Sequence, residues 1–304
     1  MKNKSPVIIV MGEPYSIFSE LIFKIYKSNF FVKFKRPVVF VGSKKLLKSQ
    51  MIKLGYKFDI NQISGDKLKT VISDGRSINL INVNFDHHKP FDVITNKSNK
   101  YIENCFNIAL NLISKNVGAS LINGPISKKS FLKGKSLGIT EYLAQKTKRK
   151  NKAVMLIFNN KISVSPITTH LALKDVHKNI SKKKIYTHIK LITEFYKKNF
   201  KRKPMIAVTG LNPHCESNFK NCEEDATIIP AIENLRAKNF KVEGPFPADT
   251  IFIKEHLKKF DVIVGMYHDQ VLTPMKALFG FDAINITLGL SFIRISPDHG
   301  PNSL

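Results

Sequence analysis

Apolar residues in this chain fall in short continuous runs, separated by longer stretches with helical spacing. Val7-Ile8-Ile9-Val10-Met11 is the first run and reads as a buried strand, closed by a turn at Gly12-Glu13-Pro14. A helix is expected from about Ile17 to Lys27, then a second strand at Pro37-Val38-Val39-Phe40-Val41-Gly42. Ser43 is placed to cap the helix running through Met51, because its hydroxyl can accept a free amide of the first turn. Faces alternate again near Ile78 to Val83, and a helix is expected from about Tyr101 to Ser114. Ala119-Ser120-Leu121-Ile122 then leads into Asn123-Gly124-Pro125-Ile126-Ser127-Lys128. Thr140 is a candidate cap for a helix starting at Glu141, and free amides at such a terminus attract phosphate.

Val154–Phe158 and Ile162–Ser165 flank Asn159-Asn160-Lys161 and predict a hairpin. Met205-Ile206-Ala207-Val208-Thr209 reads as a strand, and Glu223 to Lys238 as a helix with Ile228, Ile229, Ile232 and Leu235 as its apolar stripe. Gly244-Pro245-Phe246-Pro247-Ala248-Asp249 reads as a rigid loop. Strands alternating with helices signal an α/β fold with a largely parallel sheet. The chain has 304 residues, enough for two lobes that each bury a core.

The stretch from Asp261 to Gly300 is dense in candidate chemistry. Asp261-Val262-Ile263-Val264-Gly265-Met266 leads through Tyr267 to His268-Asp269, and a short segment then carries Lys276. In Ala283-Ile284-Asn285-Ile286-Thr287 the strand period puts Asn285 and Thr287 on one face. In Phe292-Ile293-Arg294-Ile295-Ser296 it points Arg294 away from Ile293 and Ile295. His170 and His214 share the setting of His268, since each follows an apolar strand by a few residues. Ligands of open α/β sheets bind at the carboxyl ends of strands. Three imidazoles there suit Zn²⁺ or a related divalent ion with positions left open for substrate. The other six histidines, including His87-His88 and His299, have no such common setting.

The net charge of +26 raises the class of nucleic-acid binders. Only six residues are Arg, and the excess is Lys spread along the chain. Arg is the usual reader of phosphate and base edges, and no face interleaves aromatics with Arg. The dense run from Lys182 to Lys203 lies on a helical pattern with Ile185, Ile189, Ile192 and Phe195 on the apolar side, so it reads as a solvated face. Three cysteines without paired spacing indicate a reduced, cytoplasmic protein, and no stretch approaches a transmembrane span. No Gly-x-Ser-x-Gly elbow, Gly-x-Gly-x-x-Gly fingerprint or P-loop occurs.

Several segments together resemble a known family. They are Gly124-Pro125-Ile126-Ser127-Lys128, Gly138-Ile139-Thr140-Glu141, Thr168-Thr169-His170-Leu171, Gly210-Leu211-Asn212-Pro213-His214, Gly244–Thr250, Tyr267-His268-Asp269-Gln270 and Thr287-Leu288-Gly289-Leu290. In this order they resemble the 4-hydroxythreonine-4-phosphate dehydrogenases of pyridoxal phosphate biosynthesis. The resemblance implies a two-lobed isocitrate/isopropylmalate-dehydrogenase-like fold with its active-site cleft between lobes, approximately 1–125 plus 262–304, and 126–261. It implies NAD- or NADP-dependent oxidation of 4-phosphooxy-L-threonine, followed by decarboxylation to 3-amino-2-oxopropyl phosphate. It further implies a homodimer whose site is shared between subunits, with no membrane or nucleic-acid partner. The family's metal ligands, for Zn, Mg or Co, fall on His170, His214 and His268, and its substrate contacts on Thr140, Lys276, Asn285 and Arg294. Asp269 and Lys128 are further candidates for orienting a ligand, relaying a proton or meeting the substrate.

The sequence departs from the family at four places. Ile139 stands where the family has His before Thr140. The loop Gly-Asp-Pro-Ala-Gly-Ile-Gly-Pro-Glu becomes Gly12-Glu13-Pro14-Tyr15-Ser16-Ile17-Phe18-Ser19-Glu20. Cys215–Lys220 lacks the family's glycines, and the family's last helix would follow Leu304. A dehydrogenase of a sugar-acid 4-phosphate, of the threonate or erythronate type, is the alternative reading. A non-catalytic basic nucleic-acid-binding relative is another.

Overall fold

A computed structural model describes residues 5–34, 36–64, 68, 71, 74–134, 136–149, 153–216 and 221–301. The chain forms two compact units, residues 1–142 with 291–304, and residues 143–290.

Unit 1 begins with the predicted buried strand β1 (Val7–Val10) and helix α1 (Phe18–Lys27). The short α2 (Phe30–Lys33) precedes β2 (Val38–Gly42) and α3 (Lys44–Lys53), where Ser43 Oγ accepts from Leu46 N as a true N-cap. β3 (Ile60–Gln62), β4 (Ile78–Asn82), α4 (Asn99–Ser114) and β5 (Ser120–Asn123) follow. Helix α5 (Ile139–Lys146) carries the chain past the division at Tyr142.

Unit 2 opens with the hairpin β6 (Val154–Phe158) and β7 (Ser163–Thr168), antiparallel as the polar Asn159-Asn160-Lys161 turn predicts. Next come α6 (Leu173–Val176), the long α7 (Lys182–Phe200), β8 (Ile206–Thr209) and α8 (Ile229–Ala237). β9 (Val242–Phe246), α9 (Lys254–Leu257), β10 (Val262–Tyr267), α10 (His268–Phe279) and β11 (Ile284–Leu288) complete it. The chain then returns to unit 1 as β12 (Ile293–Pro297).

Strands in unit 1 run β3-β4-β2-β1-β5-β12, every pair parallel. Its core gathers Val7, Ile9, Phe18, Phe23, Phe40, Leu47 and Leu80 between sheet and helices. Each such side chain contributes about 1.5–3 kcal/mol when fully buried. In unit 2, β11, β6 and β7 are antiparallel neighbours, while β7, β10, β8 and β9 are parallel. Met155, Ile157, Val164, Ala207, Ile263, Val271 and Met275 form its core.

The division differs from the expected lobes of 1–125 plus 262–304, and 126–261. β10 is hydrogen-bonded between β7 and β8, and β11 pairs with β6, so residues 262–290 pack with unit 2. The expected loop at Gly244 is in part a strand. β9 lies at the edge of its sheet, where a proline costs no ladder bond, and Pro245 follows a cis peptide there. The segment bearing Lys276 is a full helix, α10, despite Pro274 within it. On α7, Ile185, His188, Ile189 and Ile192 are buried, while Lys182, Lys183, Lys190, Lys197 and Lys198 face water as predicted. Among the described residues no helix is long and apolar enough to cross a membrane.

Candidate active site

Three adjacent parallel strands of unit 2 end in the three histidines. His170 lies just beyond β7, His214 follows β8 on a tight 3-10 turn over Pro213–Cys215, and His268 opens α10 directly after β10. The rings of His170 and His268 are neighbours, their centroids 5.7 Å apart. Asp269 Oδ1 lies 2.7 Å from His268 Nδ1. A proton on Nδ1 donates to that carboxylate and leaves the Nε2 lone pair for a ligand.

His214 is exposed, and it and Cys215 both have left-handed backbones (φ 58° and 62°). Such conformations cost roughly 1–3 kcal/mol each in non-glycine residues and persist where neighbours over-determine them. Among the described residues no three His, Cys, Asp or Glu groups gather closely enough to hold a metal ion. The donor set therefore fits a divalent metal in part: His170 and His268 are brought together, and His214 does not complete the group.

Behind these histidines the polar groups are buried and paired. Thr168 Oγ1 donates to Met266 O at 2.7 Å, tying β7 to β10. Gln270 accepts from Met266 N and from Thr209 Oγ1 (2.6 and 2.8 Å) and donates to Gly210 O at 2.8 Å. Glu224 is fully buried and accepts from Leu211 N, Asn212 N and Asn212 Nδ2 at 2.7–2.9 Å. Burial acts to raise its carboxyl pKa, but the bonds from Asn212 and the backbone amides outweigh it and hold the group below its ordinary value.

Of the predicted substrate contacts in unit 2, Lys276 lies on α10 with Nζ 4.5 Å from the Phe281 ring centroid, a cation–π arrangement. Asn285 stands on β11 beside Thr287 on the same face, and among the described residues its buried Oδ1 has no hydrogen-bond partner. A buried acceptor in that state is a place for a ligand donor.

In unit 1 the ends of β1, β5 and β12 carry a different set. Arg294 is fully buried, and its Nε donates to Asn123 Oδ1 at 2.8 Å. Burial pulls its guanidinium down to about 9, against the opposing pull of the Glu141 charge, so it remains a cation near neutral pH. Glu13 N donates to Pro125 O, Glu13 Oε1 accepts from Ser98 Oγ at 2.8 Å, and the Ser127 backbone amide also acts on the carboxyl. Burial pushes this carboxyl up to about 7, although the Ser98 hydroxyl favours the ionised form. Gly12 (φ 74°) lets the two loops meet, since a Cβ there would fall 2.7 Å from Pro125 O. Lys128 is exposed on the following turn. Thr140 is buried as the second residue of α5, not its cap, because the helix starts two residues earlier than expected, at Ile139.

A solved 4-hydroxythreonine-4-phosphate dehydrogenase from Klebsiella pneumoniae superposes with a TM-score of 0.80 at 29% identity, covering 98% of this chain and 92% of its own. The chain is thus an oxidoreductase on an α/β fold. It belongs to the family of the pyridoxal phosphate biosynthetic protein PdxA, whose family model matches residues 33–302. A 4-hydroxythreonine-4-phosphate dehydrogenase of Sulfurihydrogenibium sp. is 38% identical over 96% of this chain and 89% of its own. A D-threonate 4-phosphate dehydrogenase of Salmonella typhimurium is 37% identical over 64% of this chain and 61% of its own.

Three polar residues of these strand ends had no role assigned from sequence. Gln270 stands in the Tyr267-His268-Asp269-Gln270 motif and Glu13 in the altered N-terminal loop, so the motifs themselves were the available signal. Glu224 had none, being one acid among several in a helical pattern. Of the segment lacking the family's glycines, residues 217–220 lie outside the described residues.

Proposed function

We propose that the protein oxidises the C3 hydroxyl of 4-phosphooxy-L-threonine with NAD or NADP, giving a 3-oxo acid that loses CO₂ to yield 3-amino-2-oxopropyl phosphate in pyridoxal phosphate biosynthesis. The observation that carries this reading is the 38% identity to a dehydrogenase of that name across 96% of the chain. His170, His214 and His268 would hold a divalent ion (Zn, Mg or Co), which would supply positive charge beside the hydroxyl, and a bound nicotinamide would supply the hydride acceptor.

The protein's own residues supply orientation and charge. Asp269 fixes the His268 ring in one tautomer through the 2.7 Å contact at Nδ1. Arg294 and Lys276 meet the phosphate and carboxylate of the substrate, where a planar guanidinium and a point charge both serve. Thr140 and Asn285 add neutral hydrogen bonds, and the unpaired Oδ1 of Asn285 favours a substrate N–H or O–H donor. Lys128 stands as a further cation near the Gly124–Ser127 loop. The active species is a homodimer with a site shared between subunits.

The test is NAD(P)H formation from 4-phosphooxy-threonine, with and without added Zn²⁺, Mg²⁺ or Co²⁺, and in parallel from D-threonate 4-phosphate. Metal-dependent reduction with the first compound is the expected result. Turnover of the second alone would transfer the assignment to the sugar-acid reading, which the Salmonella relative favours.

A further inference from the structure

We infer that Glu13 is a positioning residue for substrate recognition: it holds the Gly124–Ser127 loop, and through that loop it sets Asn123 against Arg294. The inference rests on the reading of Arg294 as a substrate contact given above. Glu13 N donates to Pro125 O at 2.9 Å, and Glu13 O accepts from Ser16 N and Ser16 Oγ at 3.1 and 2.8 Å. Its Oε1 accepts from Ser98 Oγ at 2.8 Å, and the Ser127 backbone amide acts on the same carboxyl. One residue thus joins the segment before α4 to the loop after β5.

The path from that loop to Arg294 is short. The turn carrying Glu13 and the loop are in backbone contact, since a Cβ on Gly12 would also fall 2.8 Å from Gly124 C. Gly124 N donates to Val10 O at 2.8 Å, which pins the start of the loop to the end of β1. Asn123 Nδ2 donates to Gly124 O at 2.7 Å. That bond decides which way the amide faces and turns Oδ1 towards Arg294 Nε, 2.8 Å away. A fully enclosed guanidinium takes its direction from such partners, so a loop that shifts moves the cation with it.

A carboxyl is a costly group to bury at this place. The small cavity beside Glu13 takes its polar wall from Ser19, Ser43, Gln50 and Tyr101, and none of its lining residues is a cation. Lys128, on the turn after the loop, is exposed. The titratable groups facing the carboxyl are Tyr15 and Tyr101, whose hydroxyls burial pushes up, so both stay neutral near pH 7. Burial lifts Glu13 itself to about 7, and both of its forms are populated at neutral pH. An apolar side chain would fill the space at lower cost. What the carboxyl adds is an acceptor for the Ser98 hydroxyl and the Ser127 amide together. Bonds to an ionised acceptor are stronger than bonds to a neutral one, so the loop is held more firmly above pH 7 than below it.

The experiment follows KM and kcat for 4-phosphooxy-threonine on either side of about pH 7 in wild type, Glu13→Gln and Glu13→Ala, and repeats Glu13→Ala in an Arg294→Lys background. Glu13→Ala is expected to raise KM by up to about 100-fold with little change in kcat, the pattern of a displaced binding group. Where Arg294→Lys has already removed the guanidinium, the same change should add no more than about twofold. Glu13→Gln keeps the shape and an acceptor, and so guards against an alanine variant that fails to fold. Wild-type KM should fall as pH rises through about 7, a step that Glu13→Gln lacks because its side chain does not titrate. Equal losses in both Arg294 backgrounds, a loss confined to kcat, or superimposable pH profiles of wild type and Glu13→Gln would each overturn the inference while leaving the substrate reading intact. Unchanged kinetics in Arg294→Lys alone would instead remove the guanidinium from substrate recognition, and the inference would fall with it. A wild type that turns over only D-threonate 4-phosphate would transfer the substrate assignment, and the same cycle read with that compound would decide the role of Glu13.

Discussion

At the strand ends of unit 1 the ionisable groups are buried: Glu13 is 1% exposed and Arg294 fully enclosed. At the strand ends of unit 2 the imidazoles of His170, His214 and His268 remain partly or fully accessible. The buried places behind them go to Thr168, Thr209 and Gln270, which keep one protonation state, and to Glu224, which is held ionised. The same α/β plan thus carries two kinds of strand end. In unit 1 burial tunes the groups themselves, whereas in unit 2 paired groups of fixed protonation stand behind accessible imidazoles.

The largest effect expected from breaking this contrast is at Arg294. Arg294→Met removes the buried cation and leaves Asn123 Oδ1 without its donor. Loss of a desolvated charge partner costs about 2–5 kcal/mol, which should appear as a fall in kcat/KM with 4-phosphooxy-threonine in steady-state kinetics. Unchanged kinetics would take Arg294 out of substrate recognition.

Glu13 gives the pH signature of unit 1. Its carboxyl moves from 4.5 to about 7 on folding, so the native state holds the proton over a range where the unfolded chain has released it. The contribution to stability is complete below the unfolded value and is lost as pH rises through about 7. For this group the unfolding free energy should drop by about 3 kcal/mol across that window. Glu13→Gln should flatten the slope, as urea unfolding on the two sides of the window would show.

Ile139→His restores the family imidazole at the first residue of α5. A charged hydrogen bond is worth about 1.5–3 kcal/mol, so kcat/KM on 4-phosphooxy-threonine should rise by one to two decades. No rise would mean that Lys128 or another group already makes the contact. The smallest effect is expected far from either set of strand ends. Replacing exposed Lys182, Lys183 and Lys190 of α7 by Gln should leave activity unchanged and stability within about 0.5 kcal/mol.

Much of this architecture was legible in the sequence, and the exceptions have physical reasons. Continuous apolar runs marked β1, β2, β8 and β10, because parallel strands covered on both faces leave little room for polar residues. The period-two reading of β12 was correct in alternation, with Arg294 and Ser296 as the more buried face. That burial could not be anticipated, since a guanidinium is enclosed only where a partner such as Asn123 waits, and that partner is 171 residues away. Pro274 concealed α10, and Gly244-Pro245 concealed an edge strand, both residues that normally argue against the element they occupy. Family motifs marked the histidines, but the roles of Gln270 and Glu224 depend on contacts 60 and 12–13 residues distant.

The return of β12 to unit 1 has a consequence for the order of assembly during synthesis. β5 can pair with β1 as soon as both have left the ribosome, but its other edge waits for a strand encoded after the whole of unit 2. Until then Asn123 lacks its guanidinium, and the β5 edge is an open template for any extended chain nearby. The strands of unit 2, by contrast, are contiguous in sequence. A translation pause between β11 and β12 would therefore prolong the exposure of the β5 edge, which makes that interval the point where chaperone capture or aggregation of the nascent chain should concentrate.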